Sequence, residues 1–120
     1  MKIAISAISS DLDAAIDPRF GRAAYFVIVD TDILEWQAYP NPGANASGGA
    51  GTQAAQYIAS LGVCVAVSGD FGPNAYSALN AADIHMYLLG TSQTVRETVE
   101  NYRSGQLVPI DTPTANGHYR

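Results

Sequence analysis

Apolar and polar residues alternate along this chain in two rhythms. Lys2–Ile8 (KIAISAI) alternates with a period of two and is rich in isoleucine, which predicts a first strand. Ala24–Asp30 (AYFVIVD) predicts a second, and Ile33–Tyr39 (ILEWQAY) a third, joined to the second as a hairpin across Thr31-Asp32. Glu35 and Gln37 alternate with Trp36, so one face of the third strand is expected to be solvated. From Thr52 to Leu61 the spacing changes. Ala54, Ala55, Ile58 and Leu61 form a stripe at helical spacing, and Gly62 stands where a helix-ending glycine would. Val63–Val67 (VCVAV) is apolar at every position, as in a strand covered on both faces, so Cys64 is expected to be a buried, inert thiol. Pro73 opens a second helix to Ala82, with Ala75, Ala78, Leu79 and Ala82 inward. Asp83–Leu89 (DIHMYLL) predicts a fifth strand, with His85 a hydrogen-bonded core residue. Gln93–Arg103 predicts a third helix, capped by a hydroxyl of the Gly90-Thr91-Ser92 turn and ended by Gly105. Leu107–Ile110 is expected to be a short extended piece packed on the body, and Asp111–Arg120 a loosely ordered tail.

Strands and helices in this order predict one α/β layered domain over residues 1–120. The first three strands run up, down and up. Each following helix returns the chain, so the fourth and fifth strands also run up. Four connections then share one edge: Ser9–Arg22, Pro40–Gly51, Ser68–Asn74 and Gly90–Thr94. Ligand sites of open α/β sheets lie outside the carboxyl ends of the strands, which places any site among these loops.

Composition narrows the functions. Of 120 residues, 48% are hydrophobic and only 14% charged, against a usual quarter, so much of the surface consists of small neutral side chains. A net charge of −5 argues against general binding to nucleic acid or an anionic membrane. Cys64 is the only cysteine, which excludes an intramolecular disulfide and a cysteine-only metal site within one chain. No signal-type apolar region, twin arginine or membrane-length apolar run is present, so a soluble cytoplasmic protein is expected.

Three short motifs carry candidate chemistry. Gly48-Gly49-Ala50-Gly51 precedes a helix, where free N–H groups and the helix dipole suit an anion; a plain tight turn is the alternative. No lysine follows it, so it is not a P-loop, and no dinucleotide fingerprint is present. DPRFGRA supplies Arg19 and Arg22, whose forked guanidiniums suit oxyanions or pair with Asp11, Asp13 or Asp17. Phe20 can anchor that loop, with Gly21 turning the chain. GDFGPNA sets Asp70 and Asn74 beside a helix start, where Asn74 binds a ligand or caps the turn. His118, in the tail, is a metal ligand or a solvated side chain. No Ser-His-Asp set and no HExxH is present. The first strand also lacks the carboxylate that a ribonuclease-H-type nuclease uses to hold metal ions. A metal-dependent hydrolase would have to draw on Asp11, Asp13, Asp17 and Asp70.

Taken in order, DPRFGRAAYFVIVD, NP, GGAGTQAAQYIASLGV, SGDFGPNAYSALNAADIHMY and TVRETVENYRSGQL span nearly the whole chain. This ordered set resembles the dinitrogenase iron-molybdenum cofactor biosynthesis family, which includes nitrogenase accessory factors and small stand-alone relatives. The resemblance implies a ribonuclease H-like three-layer α/β/α sandwich around a mixed five-stranded sheet of order 3-2-1-4-5. It implies a non-enzymatic protein that binds or carries iron-molybdenum cofactor or its iron-sulfur cluster precursor; cluster-assembly proteins are the expected partners, and a monomer or weak homodimer is the expected state. Matched motif by motif, Phe20, Gly21 and Arg22, Gly48, Gly49 and Gly51, and Gly72, Pro73 and Asn74 would border the ligand. Cofactor-carrying relatives often have a histidine just before the FGR segment, where this chain has Arg19. Some have another in the glycine loop, where this chain has Ser47-Gly48. The ligand would then sit in a cradle of arginines and backbone N–H groups. The alternative is a regulatory or protein-interaction domain that binds a small anionic ligand at the glycine-rich loops.

Overall fold

A computed structural model describes residues 1–114 of the chain. The strands are β1 (Lys2–Ala7), β2 (Tyr25–Asp30), β3 (Trp36–Pro40), β4 (Val65–Ser68), β5 (His85–Leu88) and β6 (Val108–Ile110). The helices are α1 (Ala50–Ser60), α2 (Pro73–Ala81) and α3 (Val95–Arg103). The strands form one mixed sheet of order β3-β2-β1-β4-β5-β6. β1 lies antiparallel to β2, with Lys2 opposite Asp30 and Ala7 opposite Tyr25, and parallel to β4, with Ile3 beside Val65. The order implied by the family resemblance thus holds for five strands, and the structure adds a sixth. Val108–Ile110, the expected extended piece, pairs antiparallel with β5.

The period of two along β1 divides the core. Ala4 packs with Phe26, Ile28, Ala66 and Met86 beneath Ala54, Ala55 and Ile58 of α1 and Ala75 and Leu79 of α2. Ile3, Ile5 and Ala7 face the other way, with Val27, Val29, Val65 and Val67 beneath Val95 and Val99 of α3. Both faces of the central strands are covered, which explains why Val65–Val67 of β4 are all apolar.

Several boundaries and environments differ from the sequence expectation, each for a local reason. α1 starts at Ala50 rather than Thr52, because Gly49 adopts a left-handed conformation (φ +72°) and serves as N-cap. β3 starts at Trp36 rather than Ile33. The turn is longer than two residues: the Asp30 N–H bonds the Glu35 carbonyl, and Leu34 takes a φ of +59°. α3 starts at Val95, and its cap is Thr94 rather than a hydroxyl of the preceding turn. In α2, Ala75 and Leu79 are buried, but Ala78 is half-buried and Ala82, just past the helix, is exposed. Cys64 is exposed, not a buried mid-strand thiol, and His85 is exposed rather than a core residue. Cys64 precedes the first residue of β4 and His85 is the first of β5, so both stand at the entry edge of the sheet, where apolar spacing does not imply cover. Gly62 does end α1 in a left-handed conformation (φ +78°). Of the expected loose tail, residues 111–114 are fixed to the body by hydrogen bonds to Phe71 and Tyr76.

Candidate functional site

The carboxyl ends of β1 and β4 carry two fully buried serines, and these organise the loops above them. Ser6 Oγ donates to the Asp17 carbonyl at 2.6 Å and bonds Ser68 Oγ at 2.9 Å. Ser68 Oγ in turn reaches the Pro18 carbonyl at 3.3 Å. The long β1–β2 connection is therefore folded back onto the sheet at Asp17-Pro18. It lies so close that a Cβ on Gly69 would meet Pro18 Cα at 2.8 Å and its carbonyl oxygen at 2.9 Å. Two further glycines fix the neighbouring contacts. A Cβ on Gly21 would stand 2.9 Å from Gly51 N and Cα, and one on Gly51 would stand 3.0 Å from Ala75 Cβ. The FGR loop, the start of α1 and the start of α2 thus meet backbone to backbone. Phe20 plugs the space beneath them, its ring centroid 5.2 Å from Phe26 and 5.4 Å from Phe71.

Above Phe20 is a cavity of about 410 Å³, within the range of small-ligand sites. Arg19, Phe20, Gly21, Arg22, Gly51, Gly72, Pro73 and Asn74 line it, together with Ala50, Asp70 and Ala75. Gly48 and Gly49 do not: both are exposed, and Gly49 serves the helix turn instead. His118 lies outside the described residues. A larger hollow of about 610 Å³ lies at the opposite end of the sheet, along the β2–β3 hairpin. It holds no helix start and no glycine turn, so size does not mark the chemistry here.

Backbone as well as side chains sets the cavity's electrostatics. Neither α1 nor α2 has a side-chain cap or an acidic residue in its first turn. The first N–H groups of α1, and those of Asn74 and Ala75 in α2, precede the first intrahelical bonds, made by Gln53 and Tyr76. Asn74 stands at the second position of α2, one residue inside Pro73 and past the Gly72 N-cap. α3 is built the other way: Thr94 Oγ1 accepts from Glu97 N–H at 3.1 Å. Two positive helix ends thus open on one cavity.

The arginines are partly committed. Asp17, 3% exposed, receives the backbone N–H of Arg19 at 3.0 Å, its Nε at 3.2 Å and its Nη2 at 3.2 Å. That carboxylate holds the Arg19 guanidinium more firmly protonated than usual. The Arg19 side chain is still 59% exposed, so its outer N–H groups face outward. Arg22 Nη1 donates to the carbonyls of Ala44 and Ala46, tying the second loop to the first. Asn41, buried, holds the same junction through the Gly21 and Ala23 carbonyls at 3.0 and 2.9 Å. The acids do not gather. Asp13 bonds Arg96 at 2.9 Å, and no three His, Cys, Asp or Glu among the described residues could hold a metal ion. The cavity combines N–H donors and two arginines with a single carboxylate, Asp70, a set that suits the sulfur or oxygen surface of an anion better than side-chain coordination of a metal.

The sequence singled out nine of these eleven lining residues, Asp70 among them. It did not single out Ala50 and Ala75, which carry no reactive group, nor the Ser6–Ser68 pair; a serine near the carboxyl end of each of two mainly apolar strands was the available signal.

Comparison with known proteins gives a consistent picture. The family profile described as dinitrogenase iron-molybdenum cofactor matches residues 1–105. The apo form of the orange protein from Desulfovibrio gigas has a similar structure, with a TM-score of 0.91, 38% identity, and coverage of 95% of this chain and 96% of that one. A Thermotoga protein described as a candidate NifB protein is similar at a TM-score of 0.82 and 31% identity, over 95% and 97% of the two chains. An uncharacterized protein of Methanocaldococcus jannaschii is 29% identical over 111 residues, 89% of this chain and 93% of its own.

Proposed function

This chain belongs to the dinitrogenase iron-molybdenum cofactor family, and from that premise we propose that it is a non-enzymatic carrier of an anionic metal cluster, iron-molybdenum cofactor or an iron-sulfur precursor. The cluster is cargo, received from and passed to cluster-assembly proteins of the cytoplasm. One observation carries the reading: two uncapped helix starts and two arginines converge on a cavity of about 410 Å³. In this reading Gly51, Asn74 and Ala75 present backbone N–H groups to the cargo. Arg19 and Arg22 balance its charge, Phe20 forms an apolar floor, and Gly72 and Pro73 shape the rim. Gly48 and Gly49 act indirectly, by starting α1. The helical layers on both sheet faces favour the ribonuclease H-like sandwich as the fold type, with β6 as an addition.

Anaerobic reconstitution with iron, sulfide and molybdate, followed by metal analysis and visible absorption, tests the proposal. Stoichiometric uptake by wild type and its loss in the Arg19→Ala/Arg22→Ala double variant are expected. Absence of uptake by wild type overturns it. The lack of a three-residue metal-ligating group among the described residues favours a second reading, a regulatory or interaction domain that binds a small anion. Stabilisation by phosphate or a nucleotide in a thermal-shift screen, with no cluster uptake, would select that reading.

A further inference from the structure

The family profile ends at residue 105, and residues 111–114 beyond it bond Phe71 and Tyr76, next to the cavity. After β6, residues 111–114 leave the sheet edge and cross to α2, where the Tyr76 hydroxyl donates to the Asp111 carbonyl. Thr114 then closes two hydrogen bonds on one residue. The Phe71 N–H donates to Thr114 Oγ1 at 2.9 Å, and the Thr114 N–H donates to the Phe71 carbonyl at 3.0 Å. Phe71 lies between two cavity-lining residues, Asp70 and Gly72, and its buried ring packs on Phe20, which also lines the cavity. Residues 111–114 are all exposed and none lines the cavity.

We propose that Asp111–Thr114 is a clamp on the cavity wall, with Thr114 a positioning residue that acts through Phe71. Phe71 immediately precedes Gly72, the N-cap of α2. Fixing both polar groups of its backbone fixes the direction in which α2 presents its free N–H groups. The attraction of a helix start for an anion is confined to the first turn, so a pivot of this segment changes the hold on an anion without changing a lining residue. The inference rests on the anion-binding reading of the cavity only for this last step; the clamp itself stands on the two hydrogen bonds.

The full-length protein, Thr114→Val and Thr114→Ser separate the possibilities. Valine keeps the shape and the backbone N–H but removes the acceptor, whereas serine restores it. Amide hydrogen exchange is read at Phe71 and at Asn74–Tyr76, with β1 amides as reference, and molybdate affinity is read by calorimetry. Loss of one net hydrogen bond corresponds to about fivefold faster exchange at those amides. That increase is expected in Thr114→Val, with β1 unchanged, several-fold weaker molybdate binding, and both restored in Thr114→Ser. Equal exchange in Thr114→Val and wild type overturns the clamp, as does an increase spread evenly through β1. A wild type that takes up no molybdate removes the binding step, while the exchange comparison still decides the clamp.

Discussion

Single residues decide how closely the loops approach. Gly69 does not take a positive φ, so its requirement comes from Pro18, whose Cα and Cβ lie 2.8 Å from where a Cβ would stand. Gly69→Ala is expected to lower stability by about 1–3 kcal/mol, as overpacking does, in chemical denaturation. Cluster uptake should weaken alongside, because Pro18 directly precedes Arg19. Cys64 tests the opposite kind of position. Being exposed, it should react fully with a thiol reagent in the native protein, and a thiol count of zero before denaturation would contradict its placement. The sequence supplied the identity of both residues but not their surroundings. Nothing in VCVAV distinguishes a residue inside a strand from one just before it, and nothing in SGDFG announces a proline from another loop.

At the scale of elements, the contrast between helix starts is the informative feature. α3 is closed by Thr94 and by Glu97, which also accepts the Gln93 N–H at 2.7 Å. α1 and α2 have no such closure. Thr94→Ala should cost about 1 kcal/mol in urea unfolding, the usual value of a lost N-cap. The cavity lies between α1 and α2, so molybdate or cluster binding should be unaffected. Helix existence and direction were legible, because Ala54, Ala55 and Ile58, then Ala75 and Leu79, repeat at helical spacing. Helix starts were less so. Gly49 in a left-handed conformation extends α1 by two residues, and a glycine-rich run does not show which of its members takes that conformation.

For the whole molecule, two carboxylates held below their ordinary values shape the acid side of the pH response. Arg96 holds the Asp13 carboxyl below its ordinary 3.8, chiefly by hydrogen bonding and then by charge. The Asp32 backbone N–H is the first of several groups that hold Asp30 below 3.8 as well. Groups depressed in the folded state add stability above their unfolded values and lose it as pH falls through the folded ones. Thermal melts should therefore be insensitive to these two groups near neutrality and fall as pH drops below about 4. The Asp13 side chain is 76% exposed and that of Asp30 26%, so the effect should be modest and reduced by salt. Asp13→Asn should shrink the acid-side fall without altering the neutral melting temperature by more than a degree or two. An acid limb identical to wild type would place its origin elsewhere.

The sequence alone indicated the succession of strands and helices, the sharing of one edge by the long connections, and a group of ten loop residues, Arg19, Phe20, Gly21, Arg22, Gly48, Gly49, Gly51, Gly72, Pro73 and Asn74, of which eight line one cavity. These follow from local periodicity, from the up-and-down logic of short turns and helical crossovers, and from ordered motifs, all of which are written along the chain. Only the tertiary structure decided that Asp17 holds Arg19, that Arg22 ties two loops, that Gly48 and Gly49 stand outside the cavity, and that Thr114 reaches Phe71. Those relations join residues distant in sequence. They depend on distances of about 3 Å, set by how the buried serines and glycines let the loops settle on the sheet.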